Sequence, residues 1–259
     1  MADRDYCIKP GYMARTRPDY FVDDIAGDVV WQPDVYPLAT SIARKLGCTT
    51  IIDIGCGNAR KLVALHREFH VVGIDYGENH RHCSQAYPFG TWISADLESC
   101  ELPPFEDGVL EKSVLICADV IEHLVDPTAL LRTMKSFLER SPAVLLSTPE
   151  RDLTRGVNDY GPPANPSHVR EWNIQELESL LQAFGMRMAF IGLTLSNNAE
   201  REFKTILAVA GNNRWAEARI AELGDACHSG PVELRSPEKK ANRGLRGNVR
   251  QFLRFLWKS

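Results

Sequence analysis

Residues 49–65 read TTIIDIGCGNARKLVAL, and this stretch decides the fold that we predict for the chain. The β-branched run over 51–54 is typical of a strand that is buried on both faces. Gly55 and Gly57 then permit a tight turn and let a ligand approach the backbone closely. Helical spacing of apolar residues begins near Ala59. A strand, a glycine turn and a helix N-terminus together present free N–H groups to a ligand at the mouth of a crevice.

Strand and helix patterns alternate along the rest of the chain. Predicted strands cover residues 49–54, 70–74, 91–95, 113–117 and 143–147, and predicted helices cover residues 37–47, 59–68, 79–85 and 128–138. A further helix begins at Asn173, where Glu176 completes a capping-box pattern, and strands over 186–192 and 204–210 follow it. Such alternation implies an α/β fold with a doubly wound, mostly parallel sheet.

The composition is that of an ordinary globular protein, with 44% hydrophobic and 25% charged residues. Seven basic residues follow Glu238, so residues 1–238 hold 34 acidic against 23 basic groups. An acidic body argues against an extended nucleic-acid surface. Seven cysteines without a C-x-x-C pair favour reduced thiols and a cytoplasmic location. The chain has no apolar run long enough to span a membrane, and its first ten residues lack the apolar centre of a secretory signal.

Three motifs lie at the ends of the first three predicted strands: IIDIGCGN at 51–58, Asp75, and ISADL at 93–97. Together they resemble the motifs of class I S-adenosylmethionine (SAM)-dependent methyltransferases, over about residues 47–210. The resemblance implies a Rossmann-like sheet of seven strands with an antiparallel hairpin at one edge. Ala59 departs from the pattern, because many members have a third glycine there; we expect a helix first turn to tolerate it.

The resemblance implies that SAM is the cofactor and that ten residues bind it: Asp53, Gly55, Cys56, Gly57, Asp75, Tyr76, Asp96, Leu97, Cys117 and Ala118. The glycine turn would line the methionine end of SAM, and Asp75 would accept hydrogen bonds from both ribose hydroxyls. Asp96 and the Leu97 backbone would meet the adenine, and the end of the fourth strand would pass beneath the cofactor. A dinucleotide-binding oxidoreductase is the competing interpretation, but its fingerprint needs glycine or alanine where this chain has Arg60.

An alcohol is a poor nucleophile, so an alcohol that accepts a methyl group needs a base or a Lewis-acidic metal to help it lose its proton. Asp119, Glu122 and His123 follow the fourth predicted strand at spacings that predict one shared side of a helical turn. His168 lies in the sequence NPSHVREW, within a long loop over 149–172, and loops of this length are usually functional or disordered. We predict that Glu122, His123 and His168 are catalytic.

These two segments resemble ubiquinone-pathway O-methyltransferases, which have a related IEHL stretch, and small-RNA 3′-terminal 2′-O-methyltransferases. In the second group, acidic residues and histidines hold a divalent metal. The resemblance implies that Asp119, Glu122, His123 and His168 are metal ligands here, and such a mixed set suits Mn²⁺, Fe²⁺, Co²⁺ or Zn²⁺ better than Mg²⁺. The alternative is that Glu122 and His123 order the loop while His168 acts as a lone general base.

The loop over 149–172 also resembles bacterial methyltransferases that act on sugars of polysaccharides and glycolipids. The implied acceptor is a sugar or glycan hydroxyl, with Tyr160 or Trp172 as a stacking face and further polar contacts from Glu150, Arg151, Arg155 and Arg170. A quinone-like or other small-molecule acceptor is the alternative within O-methyltransferases. N-methylation and a non-catalytic SAM-binding protein also stay open.

Three regions are predicted: a flap over a site at 1–36, the methyltransferase domain at 37–211 and an extension at 212–259. Within the extension, residues 243–258 have the pattern of a basic amphipathic helix. Such a helix would contact an anionic membrane surface, or it would pack against the body of the protein or a second subunit in a homodimer.

Overall fold

The computed structural model describes residues 5–21 and 28–212. Helices and strands alternate in this order: α1 Val35–Lys45, β1 Thr50–Ile54, α2 Arg60–Val63, β2 His70–Asp75, α3 Gly77–Ala86, β3 Thr91–Ser94, β4 Ser113–Ala118, α4 Thr128–Leu138, β5 Ala143–Pro149, α5 Arg151–Arg155, α6 Ile174–Ala183, β6 Met188–Thr194 and β7 Thr205–Gly211. The predicted basic helix over 243–258 lies outside the described residues. Within them, no helix combines the length and the apolar character needed to cross a membrane.

The strands form one seven-stranded sheet in the order β3-β2-β1-β4-β5-β7-β6. The pairs from β3 to β5 are parallel, whereas β7 pairs antiparallel with both β5 and β6. This confirms the predicted doubly wound, mostly parallel sheet with an antiparallel hairpin at one edge. The strand order reverses between β1 and β4, and ligands of such sheets bind in the crevice at that point, outside the carboxyl ends of the strands.

The sheet is buried on both faces, as the β-branched run over 51–54 predicted. Ile52 packs in one core cluster with Leu130 of α4 and Leu177 of α6. Ile51 packs in the opposite cluster with Leu38 of α1. Successive side chains of a strand point to opposite faces, so the isoleucines of one strand contribute to the core on both sides of the sheet.

One predicted helix and one predicted loop differ from the structure. The predicted helix over 59–68 is a helix of four residues, α2, followed by turns. The predicted loop over 149–172 contains the short helix α5, whose first turn is capped because Leu153 N–H donates to the Glu150 carboxylate (2.6 Å). The capping box at Asn173 and Glu176 is confirmed at the start of α6.

The N-terminal segment, defined here as residues 5–21, lies along the β5–α6 loop, which covers residues 150–173. Met13 N–H donates to the Tyr160 carbonyl (2.8 Å), and Arg15 N–H donates to the Val169 carbonyl (2.8 Å). At the end of the segment, Tyr20 and Phe21 contact Tyr76 and His123, which follow the carboxyl ends of β2 and β4.

Gly55, in the turn after β1, is held at a close approach to the segment after β4. A Cβ built on Gly55 would lie 2.3 Å from Val120 Cγ2, and the residue has a φ of +76°. We predict that Gly55→Ala lowers the free energy of unfolding by about 2–4 kcal/mol, from backbone strain and overpacking together. Gly47→Ala is the matched control, because Gly47 has a φ of +66° and open space around it; it should lose only about 1 kcal/mol. Equal losses in urea denaturation would contradict this account of the turn.

Candidate functional site

The turn between β1 and α2 adopts left-handed backbone at three positions. Gly55 has a φ of 76°, Gly57 a φ of 56° and Ala59 a φ of 58°. Ala59 therefore precedes the helix and is not in its first turn, which corrects our expectation for this residue. A left-handed alanine costs about 1–2 kcal/mol, so this position is one where a glycine would be more stable.

Asp75, at the end of β2, braces this turn. Its Oδ2 accepts a hydrogen bond from Gly57 N–H (2.8 Å) and its Oδ1 accepts one from Tyr76 N–H (2.8 Å). Asn79 Nδ2 lies 3.4 Å from the same Oδ1. An ionised carboxylate has about four acceptor positions, so one aspartate can accept several hydrogen bonds at once.

Other predicted cofactor residues lie around the same crevice. Tyr76 and Asp96 are exposed at its rim after β2 and β3, and Ala118 is partly exposed at the end of β4. The tyrosine–tyrosine edge contact between Tyr20 and Tyr76 (5.0 Å between ring centroids) places the N-terminal segment beside this rim. Tyr20 also donates its hydroxyl hydrogen to the Tyr76 carbonyl (2.9 Å).

Five of the predicted cofactor residues have buried side chains: Asp53, Cys56, Asp75, Leu97 and Cys117. Asp53 accepts a hydrogen bond from the Tyr36 hydroxyl (2.5 Å), which sequence reasoning did not predict. A hydrogen bond with the Cys83 thiol, followed by burial, raises the pKa of Cys56 well above its usual range. The Cys56 and Cys117 thiols therefore belong to the core, and only the backbone at these positions is suited to meet a cofactor.

Glu122 lies in the β4–α4 segment, which covers residues 119–127, and its carboxylate is fully buried. Thr148 Oγ1 donates to Glu122 Oε2 (2.9 Å), while Oε1 is buried and has no hydrogen-bond partner among the described residues. Burial raises the pKa of Glu122 well above its usual range, and the charge of Asp119 adds to this. An unpaired buried oxygen costs stability, so its retention points to a role in binding.

His123 is held with one ring nitrogen available. Its Nδ1 lies 2.9 Å from the Ser167 carbonyl, which can only accept, so Nδ1 carries the proton and Nε2 has the free lone pair. Burial, and secondarily His168, lower the pKa of His123 to about 4. The ring is therefore neutral at physiological pH, which is the state required of a metal ligand.

The structure brings together three of the four predicted metal ligands. Glu122, His123 and His168 offer carboxylate and imidazole atoms that all lie within 4.8 Å of one another. Ligand atoms about 2.1 Å from a tetrahedral metal are about 3.4 Å apart, so the three side chains would have to move closer together around an ion. Two imidazoles and one carboxylate suit first-row transition metals.

Asp119 is not part of this group, and the prediction that it shares one helical side with Glu122 and His123 is wrong. Its φ of 55° is left-handed, and its N–H donates to the Ser147 carbonyl of β5 (3.0 Å). This hydrogen bond extends the β4–β5 pairing by one residue, and only Ile121–His123 forms a short 3₁₀ turn. Sheet pairing therefore determines the backbone at Asp119.

Several polar residues that we predicted as sugar contacts hold the β5–α6 loop in place. Arg170 donates to the carbonyls of Leu124 (3.1 Å) and Val125 (2.8 Å). Arg151 is fully buried and paired with Glu176 (2.6 Å). Glu150 caps α5, and Trp172 is completely buried, so Trp172 cannot serve as a stacking face. Tyr160 is 47% exposed, so its ring can still serve as a stacking face.

Four residues near the site had no contact assigned to them from the sequence, although two of them, Tyr20 and Phe21, lie within the flap predicted over 1–36. Glu171 contacts His168, and its spacing of three residues was the available signal. Phe21 lies against the His123 ring (5.2 Å between centroids), and Tyr20 lies against Tyr76. Gln32 is buried and hydrogen-bonded to Ser147 at the end of β5. Tyr20, Phe21 and Gln32 contact residues that are distant in the sequence, so no local pattern predicts these contacts.

Comparison with known proteins places this site in a family. Residues 31–189, more than half of the chain, match the family model described as a methyltransferase domain. A probable S-adenosylmethionine-dependent methyltransferase of Mycobacterium tuberculosis is 33% identical over 144 residues, which are 54% of this chain and 49% of that protein. The chain thus spans about half the length of this relative. A ubiquinone biosynthesis O-methyltransferase of Pseudomonas paraeruginosa is 24% identical over 54% of this chain and 70% of its own length.

A solved structure also has this fold. A S-adenosylmethionine-dependent methyltransferase from Clostridium acetobutylicum superposes with a TM-score of 0.52 at 10% identity, over 71% of this chain and 92% of that chain. At this identity the likeness establishes the fold alone.

Asp75 provides a test of the cofactor crevice. We predict that Asp75→Ala weakens binding of S-adenosylhomocysteine by about 10- to 100-fold, because hydrogen bonds to charged groups contribute about 1.5–3 kcal/mol each. Isothermal titration calorimetry measures this change. Asp107→Ala is the control, since the Asp107 side chain is exposed and 3.9 Å from Arg140. Unchanged affinity in the folded Asp75→Ala variant would remove Asp75 from the cofactor site.

Proposed function

The chain belongs to the methyltransferase-domain family and has the class I SAM-dependent fold, and from this premise we propose that it transfers a methyl group from SAM to a hydroxyl of a sugar, glycan or glycolipid. One observation carries the proposal. Glu122, His123 and His168 converge at the carboxyl end of β4, beside the glycine turn after β1. Proton removal from a hydroxyl needs groups of this kind, whereas a protein that only binds SAM does not.

The chemistry is an in-line displacement. SAM, when bound, supplies a sulfonium-activated methyl group. As the C–O bond to the acceptor forms, the C–S bond breaks, the hydroxyl proton leaves, and S-adenosylhomocysteine departs. The protein's task is to fix both reactants in line, and such positioning supplies much of the rate enhancement. The contact between Gly55 and Val120 keeps the cofactor turn and the β4–α4 segment in register for this task.

We further propose that Glu122, His123 and His168 hold a divalent metal. The residues present fit such an ion, because the group contains a buried, unpaired carboxylate oxygen and a neutral imidazole whose Nε2 is available. When bound, a divalent metal would favour the ionised form of a coordinated hydroxyl. Asp119, outside the group, adds negative charge near it and raises the pKa of Glu122.

A general base without a metal is the second candidate role for His168. Its Nδ1 is paired with Glu171, which leaves Nε2 to accept a proton from the acceptor hydroxyl. His123 is less suited to this role, because a pKa of about 4 makes it a weak base at physiological pH. Metal depletion separates the two roles.

Two resemblances and two aromatic side chains bear on the class of acceptor. The resemblance of the β5–α6 loop to sugar methyltransferases supports a glycan, and the exposed Tyr160 offers an aromatic face to a sugar ring. The similarity to ubiquinone biosynthesis O-methyltransferases supports a phenolic acceptor as the second candidate, and Phe21 beside His123 would stack on its ring.

Tritium transfer from methyl-labelled SAM tests the acceptor class. We predict that the protein labels the glycolipid or polysaccharide fraction of a bacterial extract and that the label survives mild base, as a methyl ether does. Labelling of the quinone fraction instead would favour the phenolic alternative. SAM binding without labelling of either fraction would contradict O-methyl transfer.

Glu122→Gln tests the metal, because the neutral amide removes the charged ligand while preserving shape. We predict that chelator-treated protein loses at least about 90% of its labelling activity, that Mn²⁺ restores it, and that Glu122→Gln stays inactive with Mn²⁺. His66→Gln, an exposed histidine on a different part of the fold, should behave as wild type. Full activity of both the metal-depleted protein and Glu122→Gln would leave His168 as a lone base.

A further inference from the structure

Both ring nitrogens of His168 are hydrogen-bonded, one to a group that accepts a proton and the other to a group that donates one. Its Nδ1 lies 2.7 Å from Glu171 Oε1, and both residues are buried. An ionised carboxylate can only accept a hydrogen bond, so Nδ1 carries the proton.

Asn165 gives independent evidence for the same tautomer, because it contacts the other ring nitrogen of His168. Asn165 Nδ2 lies 3.0 Å from His168 Nε2. The orientation of the amide is fixed because its Oδ1 accepts a hydrogen bond from Ser167 N–H (3.0 Å). The amide NH₂ therefore faces the ring and donates to it, so Nε2 carries no proton.

Glu171 is itself held in position by several groups. Its N–H donates to the Tyr12 hydroxyl (3.2 Å), and its Oε2 lies 3.7 Å from Arg155 Nη1. Arg155 is in turn paired with Asp159 (2.7 Å). Neither Glu171 Oε2 nor Arg155 Nη1 makes a hydrogen bond within the described residues, although both atoms are buried. Buried ion pairs with unsatisfied atoms add little stability, so stability alone does not explain this network.

We propose that Glu171 and Asn165 hold His168 in the tautomer that carries its proton on Nδ1, so that Nε2 is the atom presented to a metal ion or an acceptor hydroxyl. Asn165 is exposed and its amide leaves Nε2 when the ligand arrives. Glu171 is thus a positioning residue that makes Nε2 a better ligand, and Asn165 is a displaceable cap. The inference rests on the proposed role of His168 at the site.

The tautomer can be measured without metal or turnover. Nitrogen-15 NMR of the full chain, labelled on histidine, distinguishes the two ring nitrogens of each tautomer, and a His168→Gln sample identifies the His168 signals. We expect a pure Nδ1–H tautomer in the wild type and a mixture with the Nε2–H form in Glu171→Ala. Glu171→Gln should keep the wild-type form, because its amide oxygen still accepts the Nδ1 proton. An Nε2–H tautomer in the wild type, or an unchanged spectrum in Glu171→Ala, would overturn the proposal.

Metal affinity provides a second readout, in which the two neighbours of His168 have opposite effects. With Mn²⁺ alone as the probe, Glu171→Ala should weaken binding by about 10- to 100-fold. Asn165→Ala should strengthen it, by about two- to fivefold, because the ion no longer displaces an amide hydrogen bond of roughly 0.5–1 kcal/mol net. Equal weakening by both variants would show that these residues only support the loop and would contradict the proposal.

Matched controls separate these effects from general loss of structure. Glu150→Gln neutralises another buried carboxylate of the same loop, and Asn197→Ala removes another asparagine that accepts backbone N–H groups. Both should leave the His168 signals and the Mn²⁺ affinity unchanged. If the wild type binds no Mn²⁺, the metal part of the proposed function is wrong, and the tautomer measurement alone decides the role of Glu171.

Discussion

Several hydrogen bonds fasten the β4–α4 segment to the β5–α6 loop, and the candidate centre depends on two of them. Val169 N–H donates to the Glu122 carbonyl (2.6 Å), and His123 Nδ1 donates to the Ser167 carbonyl (2.9 Å). In each bond one residue, Glu122 or His123, belongs to the group formed by Glu122, His123 and His168. The other residue, Val169 or Ser167, is next to His168 in the sequence. The backbone contact therefore sets the separation of the side chains, and the second bond also selects the nitrogen that His123 presents.

The loop is long, so the entropy of ordering it must be offset by many contacts. Arg170 supplies part of this, because its guanidinium donates to two carbonyls of the β4–α4 segment and lies over the Tyr6 ring (4.3 Å to its centroid). Trp172 Nε1 donates to the Tyr6 carbonyl (3.0 Å). The N-terminal segment, the loop and the β4–α4 segment thus form a single packed unit above the sheet. A rigid support of this kind is what a precise constellation of functional groups needs.

The fold was predictable because its signals are local. The isoleucine run of β1, the glycine turn and the pair Asn173 and Glu176 each determine structure within a few residues. His123 and His168 were predicted as neighbours from motif resemblance, and the structure places their ring centroids 4.8 Å apart. Asp119 was misplaced because a hydrogen bond to the neighbouring strand overrides the helical spacing of its sequence. The role of Trp172 was misjudged for a similar reason, since its burial depends on contacts from the distant N-terminal segment.

We propose that two separate stretches of the chain form one metal-binding centre beside the cofactor turn. Pulsed electron paramagnetic resonance of the full chain with Mn²⁺ and S-adenosylhomocysteine tests it most directly, because the modulation of the signal counts coordinated imidazole nitrogens. We expect coupling to two histidine nitrogens, one of which disappears in His123→Gln and the other in His168→Gln. Binding of Mn²⁺ without nitrogen coupling, or coupling that neither variant removes, would contradict it.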